Sequence, residues 1–214
     1  MTLFKPCDSI YNAPPVGTLN LAVLISGSGR TLQNFIDLIA AGKLDARIQV
    51  VVSTGPNLAG NDRARKAGLA LDVVDARVVK GAAFDDAITA AIDAHEPVDL
   101  VLLAGFLKLY RFPGRFNGRV MNIHPALLPA YGGKGMYGHH VHEAVIAAGE
   151  TESGCTVHFA DLQYDRGRIV LQKRVPVLPG DTPDTLAARV FAAECTAYPE
   201  AVRLFASGTL NGPA

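Results

Sequence analysis

The sequence has no charge excess, no long apolar run and few cysteines, and each shortage removes a class of function. Lys plus Arg number 20 against 20 Asp plus Glu, so the formal net charge is +0 and no basic block offers a footprint for nucleic acid or an anionic membrane. No apolar stretch approaches the roughly 20 residues that cross a bilayer. The first eighteen residues, MTLFKPCDSIYNAPPVGT, lack the apolar core of a secretory signal and read as a flexible leader, residues 1–18. Three cysteines (Cys7, Cys155 and Cys195), far apart, suit a reducing compartment better than a disulfide framework, so a cytoplasmic location is expected. Internal repeats and low-complexity linkers are also missing. What remains is one globular domain, residues 19–214, with 49% apolar residues in a chain of 214 to fill its core.

The pattern of that domain is α/β. LNLAVLIS reads as a buried strand ending in GSGRT, and Leu32, Phe35, Ile36 and Ile39 then recur at the spacing of a helix with one face inward. RIQVVVS is a second strand and NDRARKAG a short helix. LALDVVD is a third strand, and Phe84 to Ile92 mark a helix followed by Pro97. VDLVLLAGF, the most apolar run, has the composition of a central parallel strand covered on both faces. Strands alternating with helices predict a Rossmann-like, doubly wound, mostly parallel sheet. Further on come a strand at RVMNI and a helix at HHVHEAVIAAG. SGCTVHFA and RIVLQKRVPV lie close enough to pair as an antiparallel C-terminal hairpin. A long terminal helix is expected to be capped by Asp181 or Thr182, to carry Pro183 in its first turn and to run to about Phe205.

SGSGRT invites a nucleotide-binding reading but lacks two of its requirements. Leu32 stands where the third glycine of G-x-G-x-x-G belongs, and Ser53 and Thr54 close the second strand where an acidic residue would hold a ribose. A single phosphate fits better. Small residues let backbone N–H groups converge at a helix N-terminus, with Arg30 and Thr31 as added donors. The alternative is a tight turn with a solvated arginine.

Asn122 and His124 lie two apart near a strand's C-terminal end and therefore share a face, at the edge where open α/β sheets gather ligands. Asn offers a neutral N–H and His a proton exchangeable near neutral pH, a pairing suited to a carbonyl that becomes an oxyanion under attack. Asp165, in a turn between two strands, is the carboxylate that would complete the set. On residues alone, Asn122-x-His124 is more often a hydrogen-bonded strand terminus than a catalytic pair, and Asp165 more often an ordinary turn residue. His139, His140 and His142 sit close together without a Cys or carboxylate cluster to complete a tetrahedral set, so no metal is expected. His158 reads as a buried, hydrogen-bonded histidine. The run YGGKGMYG is either a lid or a structural turn.

VLISGSGRTLQ, LAGFLKL, NIHPALLPAYGGKGMYG, TVHFADLQYDRGRIVLQ and GDTPDTLAARVFAAE occur in that order. Together, over residues 19–208, they resemble the folate-dependent formyltransferase family, in particular its members that act on glycinamide ribonucleotide in de novo purine synthesis. The resemblance implies transfer of a formyl group from 10-formyltetrahydrofolate by direct amine attack, with Asn122, His124 and Asp165 as the catalytic trio. In this reading Asp165 raises the His124 pKa by favouring its charged form. The resemblance further implies that Gly29, Arg30 and Thr31 hold the ribotide phosphate and that Glu194 on the last helix contacts the amine. It assigns the folate to Leu107, Lys108, Leu109 and Tyr110, with Ala160, Asp161 and Tyr164 across from them. Small-molecule substrates, no metal, and a monomer or homodimer are the expected partners and state.

The chain departs from the family at several points. Gly29-Arg30-Thr31 replaces the usual Gly-Ser-Asn, and Glu194-Cys195 replaces Glu-His. An arginine near the folate has no counterpart around Gly81 to Ala83, and the loop after GFLKLYRFPG is slightly shortened. Two enzymes on the same core remain as alternatives, a sugar-nucleotide N-formyltransferase and a formyltetrahydrofolate hydrolase; the extra modules these typically carry are not expected here. A non-catalytic binding module of the same fold is the third.

Overall fold

A computed structural model describes residues 17–210, so Cys7 and nearly all of the expected leader lie outside the described residues. The elements run β1 (Leu19–Ile25), α1 (Arg30–Ala40), β2 (Ala46–Ser53), α2 (Ala59–Lys66), β3 (Leu71–Val73), α3 (Ala82–Asp93) and β4 (Leu100–Leu103). A 3₁₀ turn (Gly114–Phe116) precedes β5 (Val120–His124), α4 (His139–Ala147), β6 (Glu152–Phe159), β7 (Ile169–Pro176) and α5 (Pro183–Ala206). The seven strands form one sheet in the order β3-β2-β1-β4-β5-β6-β7. β1 to β5 are parallel, whereas β6 pairs antiparallel with β5, and β7 with β6.

The sheet is apolar on both faces because helices cover both. Leu19, Leu21, Val23 and Ile25 alternate along β1 toward one face, where Leu32 and Phe35 of α1 and Val190, Tyr198 and Val202 of α5 pack. Ala22 and Leu24 point the other way, against Phe84, Ile88 and Ile92 of α3. Tyr198 is fully buried and settles its hydroxyl by donating to the Met121 carbonyl at 2.7 Å. That contact anchors α5 over β5, directly behind Asn122.

Two strands are shorter than the sequence predicts. β3 is an edge strand whose ladder with β2 covers Val51–Ser53, with the Ala70 carbonyl and the Val74 N–H adding single backbone bonds at its two ends. β4 ends at Leu103 because Gly105 adopts φ +70° and turns the chain toward β1, where its carbonyl accepts the Ser26 N–H. At the last helix Thr182, not Asp181, is the cap: Thr182 and Thr185 bond reciprocally in a capping box, while Asp181 holds Arg189. The order 3-2-1-4-5 reverses between β1 and β4, and the loops leaving β1, β4 and β5 open a crevice at that point.

Candidate active site

The crevice holds a cavity of about 680 Å³. Into it converge the first turn of α1, the loops after β4 and β5, the β6–β7 connection and one face of α5.

Local conformation places each group. After β1 the chain turns through Gly29 at φ +68°, the residue that starts α1, and a Cβ there would stand 2.6 Å from the Gly60 Cα. A Cβ on Gly60 would stand 2.6 Å from the Ile25 Cδ1 and 3.0 Å from the carbonyl oxygen of Gly27, which accepts the Gly60 N–H at 3.1 Å. Gly29 therefore serves loop geometry and does not itself line the cavity, whereas Arg30 and Thr31 do. No side chain caps α1, leaving its first N–H groups to the crevice.

Asn122 and His124 close β5, and Asp165 reaches them from the β6–β7 connection in a left-handed conformation, φ +56°. The Asp165 Oδ2 lies 3.6 Å from the His124 Nδ1 and accepts the Gly133 N–H at 2.9 Å; its Oδ1 faces the Asn122 Nδ2 at 3.4 Å. Gly132 permits this approach, since a Cβ there would meet Leu128 at 2.5 Å and Asp165 at 3.3 Å. The Tyr131 carbonyl accepts the His124 Nε2–H at 2.7 Å. Tyr131 to Gly133 thus form a structural turn that orients both His124 and Asp165, and Lys134 to Gly138 continue as the cavity wall.

Asp165 acts on His124 in the expected direction, but burial acts more strongly. Burial holds the His124 pKa below its ordinary value, outweighing both the Asp165 charge and the Tyr131 carbonyl, which work the other way. The Tyr131 carbonyl requires a proton on the His124 Nε2, and Nδ1 faces the carboxylate. For Asp165 burial opposes ionisation, but His158, His124 and the Gly133 N–H together hold its pKa below the usual carboxylate value.

His158 is more than a satisfied core histidine. Buried at 2% exposure, it donates from Nδ1 to the Phe159 carbonyl at 2.9 Å, contacts the Asn122 amide at 3.1 Å and stands 3.6 Å from Asp165. The signal that could have found it is period two along β6: Thr156 pairs with His124 and His158 with Asn122.

The expected folate residues gather on one side. Leu107 to Tyr110 and Ala160, Asp161 and Tyr164 all line the cavity. The Leu107 N–H is tied to the Ser26 Oγ at 3.1 Å, and Tyr110 is buried with its hydroxyl against Thr89 at 2.8 Å. Glu194 lines the opposite wall with Phe191, a residue no motif marked. Burial raises the Glu194 pKa to about 7, with Arg30 acting against it. His139 and His140 meet Glu143 instead of a common centre, and among the described residues no group of three His, Cys, Asp or Glu side chains converges as a metal site. No helix among the described residues is long and apolar enough to cross a membrane.

The arrangement is that of an acyl-transfer site: a histidine, a carboxylate and an amide around one point of a mostly apolar crevice. The chain belongs to the formyl transferase family, whose profile matches residues 19–202. Its relatives narrow this. The phosphoribosylglycinamide formyltransferase of Escherichia coli (strain K12) is 37% identical over 196 residues, covering 90% of each chain. The bovine trifunctional purine biosynthetic protein adenosine-3 is 42% identical over 194 residues, but the chain spans only 19% of that protein's length. Among solved structures, glycinamide ribonucleotide transformylase 1 from Symbiobacterium toebii superposes with a TM-score of 0.80 at 40% identity, covering 89% of both chains. The phosphoribosylglycinamide formyltransferase of Coxiella burnetii, in complex with CHES, gives 0.81 at 36%, covering 92% of this chain and 90% of that one.

Proposed function

We propose that the protein transfers the formyl group of 10-formyltetrahydrofolate to the amine of glycinamide ribonucleotide, giving formylglycinamide ribonucleotide in purine biosynthesis. The observation that carries the reading is the meeting of Asn122 and His124 on Asp165, whose carboxylate lies 3.4 Å from the Asn122 amide and 3.6 Å from the His124 ring in the cavity.

The two halves of the crevice suit the two substrates. Phe106, Leu107, Ala160 and Tyr164 line a largely apolar side that matches the flat ring system of a folate, with the backbone of 108–110 and of Asp161, Leu162 and Tyr164 available to its polar edge. Arg30, Thr31 and the open start of α1 match a phosphate across the cavity. Gly29 supports that end by shaping the loop.

In the reaction the amine nitrogen bonds to the formyl carbon and the bond from that carbon to the folate nitrogen breaks. The amine's proton ends on the departing nitrogen. Asn122 and the protonated form of His124 act as donors to the formyl oxygen as it gains charge. The Asp165 carboxylate beside the His124 Nδ1 stabilises the imidazolium form that makes this donation. Asp165, with its lowered pKa, is a poor store for a proton and acts by relaying one, through water, from the amine to the leaving nitrogen. The chain's own groups suffice for this chemistry without a metal.

The balanced net charge of the chain favours small-molecule partners, free Cys155 and Cys195 suit a cytoplasmic enzyme, and a monomer or homodimer is the proposed state. The test is an assay with 10-formyltetrahydrofolate and three acceptors: glycinamide ribonucleotide, a 4-amino sugar nucleotide and water. Formylation of the ribotide at a kcat/KM at least 100-fold above the other two is the expected result. Preferential transfer to the sugar amine or to water overturns the assignment.

A further inference from the structure

Arg30 presents its guanidinium in an unusual state for a cation beside a carboxylate. Its Cζ lies 3.7 Å from the centroid of the Phe191 ring, and it makes no hydrogen bond or ion pair with any described residue. Glu194, one turn along α5 from Phe191, is likewise without a hydrogen bond or ion pair among the described residues, although it feels the Arg30 charge. Ala187, Phe191 and Glu194 all line the cavity, at the i, i+4, i+7 spacing of a single helix face. Phe191 has no place in the core, unlike its neighbour Val190, which is fully buried there. An aromatic ring on a polar wall, stacked on an otherwise unpaired arginine, needs a reason.

We propose that Phe191 is a positioning residue for substrate: it holds the Arg30 guanidinium by its flat face, so that the N–H edge stays free for a ligand phosphate and Arg30 does not collapse onto Glu194. The inference rests on the proposed phosphate site at α1 and adds a residue and a mechanism to it. Stacking engages the face of a guanidinium and leaves all five in-plane donors open, whereas an ion pair with Glu194 would consume two of them and neutralise the charge. It would also occupy the Glu194 carboxylate, which remains available to donors further along the same ligand. Phe191 thus keeps a cation and an anion apart on one wall, arranged for a molecule with phosphate at one end and donors at the other.

The test uses ribose 5-phosphate binding by calorimetry, a readout independent of formyl transfer, together with steady-state kinetics of the full-length chain. Phe191→Leu is expected to raise the ribose 5-phosphate Kd and the ribotide KM about 3- to 30-fold, the range of a cation–π contact, with kcat and the folate KM within about twofold. Phe191→Tyr, which keeps the ring, is expected to restore binding to within about threefold. In an Arg30→Lys background, where a point charge replaces the plane, Phe191→Leu is expected to add less than about threefold. An unchanged Kd in Phe191→Leu, failure of Phe191→Tyr to restore it, or an equal loss in the Arg30→Lys background overturns the proposal. Tight, Phe191-dependent phosphate binding without transfer to glycinamide ribonucleotide would refute the functional reading and leave this one standing.

Discussion

Replacing Asp165 by Asn removes one charge and little else, which makes it the most direct probe of the proposed chemistry. Asn tolerates the left-handed φ of +56° at this position, and its carbonyl oxygen can still accept the Gly133 N–H now held at 2.9 Å. The fold is therefore expected to survive, with a melting temperature within about 4 °C of the parent, equivalent to roughly 1 kcal/mol in a domain of this size. The chemistry loses its counter-charge. At the 3.6 Å separation of the Asp165 Oδ2 and the His124 Nδ1, and an effective permittivity of about 20, two unit charges attract by roughly 4.6 kcal/mol. That is about three decades in the population of protonated His124. Loss of a positioned acid–base group independently costs about 10²- to 10⁴-fold. A fall in kcat near 10³-fold is the expected result, with the ribotide and folate KM values within about threefold. The assay is steady-state turnover with 10-formyltetrahydrofolate, paired with a circular-dichroism melt on the same preparation. A folded Asp165→Asn enzyme retaining more than a tenth of the parental kcat would remove Asp165 from the mechanism.

Glu194→Gln tests the cavity wall through pH. The Glu194 pKa is raised from 4.5 to about 7, so the folded state binds more protons than the unfolded one between those values and parental stability declines as pH rises through that window. The variant, which does not titrate, is expected to match the parent below about pH 4.5 and to exceed its melting temperature by roughly 7–14 °C above pH 7; a difference independent of pH would contradict the assignment. Gly29→Ala forces a left-handed φ of +68° on a residue with a Cβ and sets that Cβ 2.6 Å from the Gly60 Cα. A loss of about 2–4 kcal/mol in urea unfolding is expected, and parental stability would show that the loop has room to give. Activity is expected to be unaffected by a stoichiometric chelator, since no group of three candidate ligands meets among the described residues; inactivation restored by added metal would refute this.

The sheet was legible because its signal is periodic. Alternation along Leu19–Ile25 and the helical spacing of Leu32 and Phe35 each reflect burial on a repeating face, and the structure buries those residues. Asn122 and His124 were legible for the same reason, as two residues of one strand face. Asp165 was harder, since it lies 43 residues beyond Asn122 and only the hairpin of β6 and β7 brings it back. His158 reads as core from the sequence because a buried histidine and a site histidine look alike until the partner strand is known; its register opposite Asn122 depends on β6 pairing with β5. Phe191 shares a helix face with Ala187 and Glu194, but that spacing does not distinguish a cavity wall from core until α5 is set beside α1. Gly60 was equally silent, because its packing against Gly29 joins segments 31 residues apart through a contact that only the folded sheet creates.

Counting hydrogens explains why a second histidine stands behind the first pair. The His158 Nδ1 faces the Phe159 carbonyl and must carry a proton to bond it, so in neutral His158 the Nε2 is an acceptor. The group facing that Nε2 at 3.1 Å is then the Asn122 NH₂, which fixes the amide's orientation. Its second hydrogen points toward Asp165 across 3.4 Å, near the outer limit of a hydrogen bond. The two bonds are therefore unequal. The short one to His158 holds Asn122 in place. The long one to Asp165 is the donor that can be spared, and it weakens further whenever Asp165 carries a proton, because a neutral carboxyl attracts an N–H less than a carboxylate does. In the proposed transfer the formyl oxygen gains charge as the amine gives up its proton toward Asp165, so relay and release fall in the same step. His158 provides orientation, Asp165 gates the free N–H, and Asn122 delivers it. A leucine at position 158 would leave the amide free to turn its oxygen toward the developing charge, which makes the histidine's contribution one of direction.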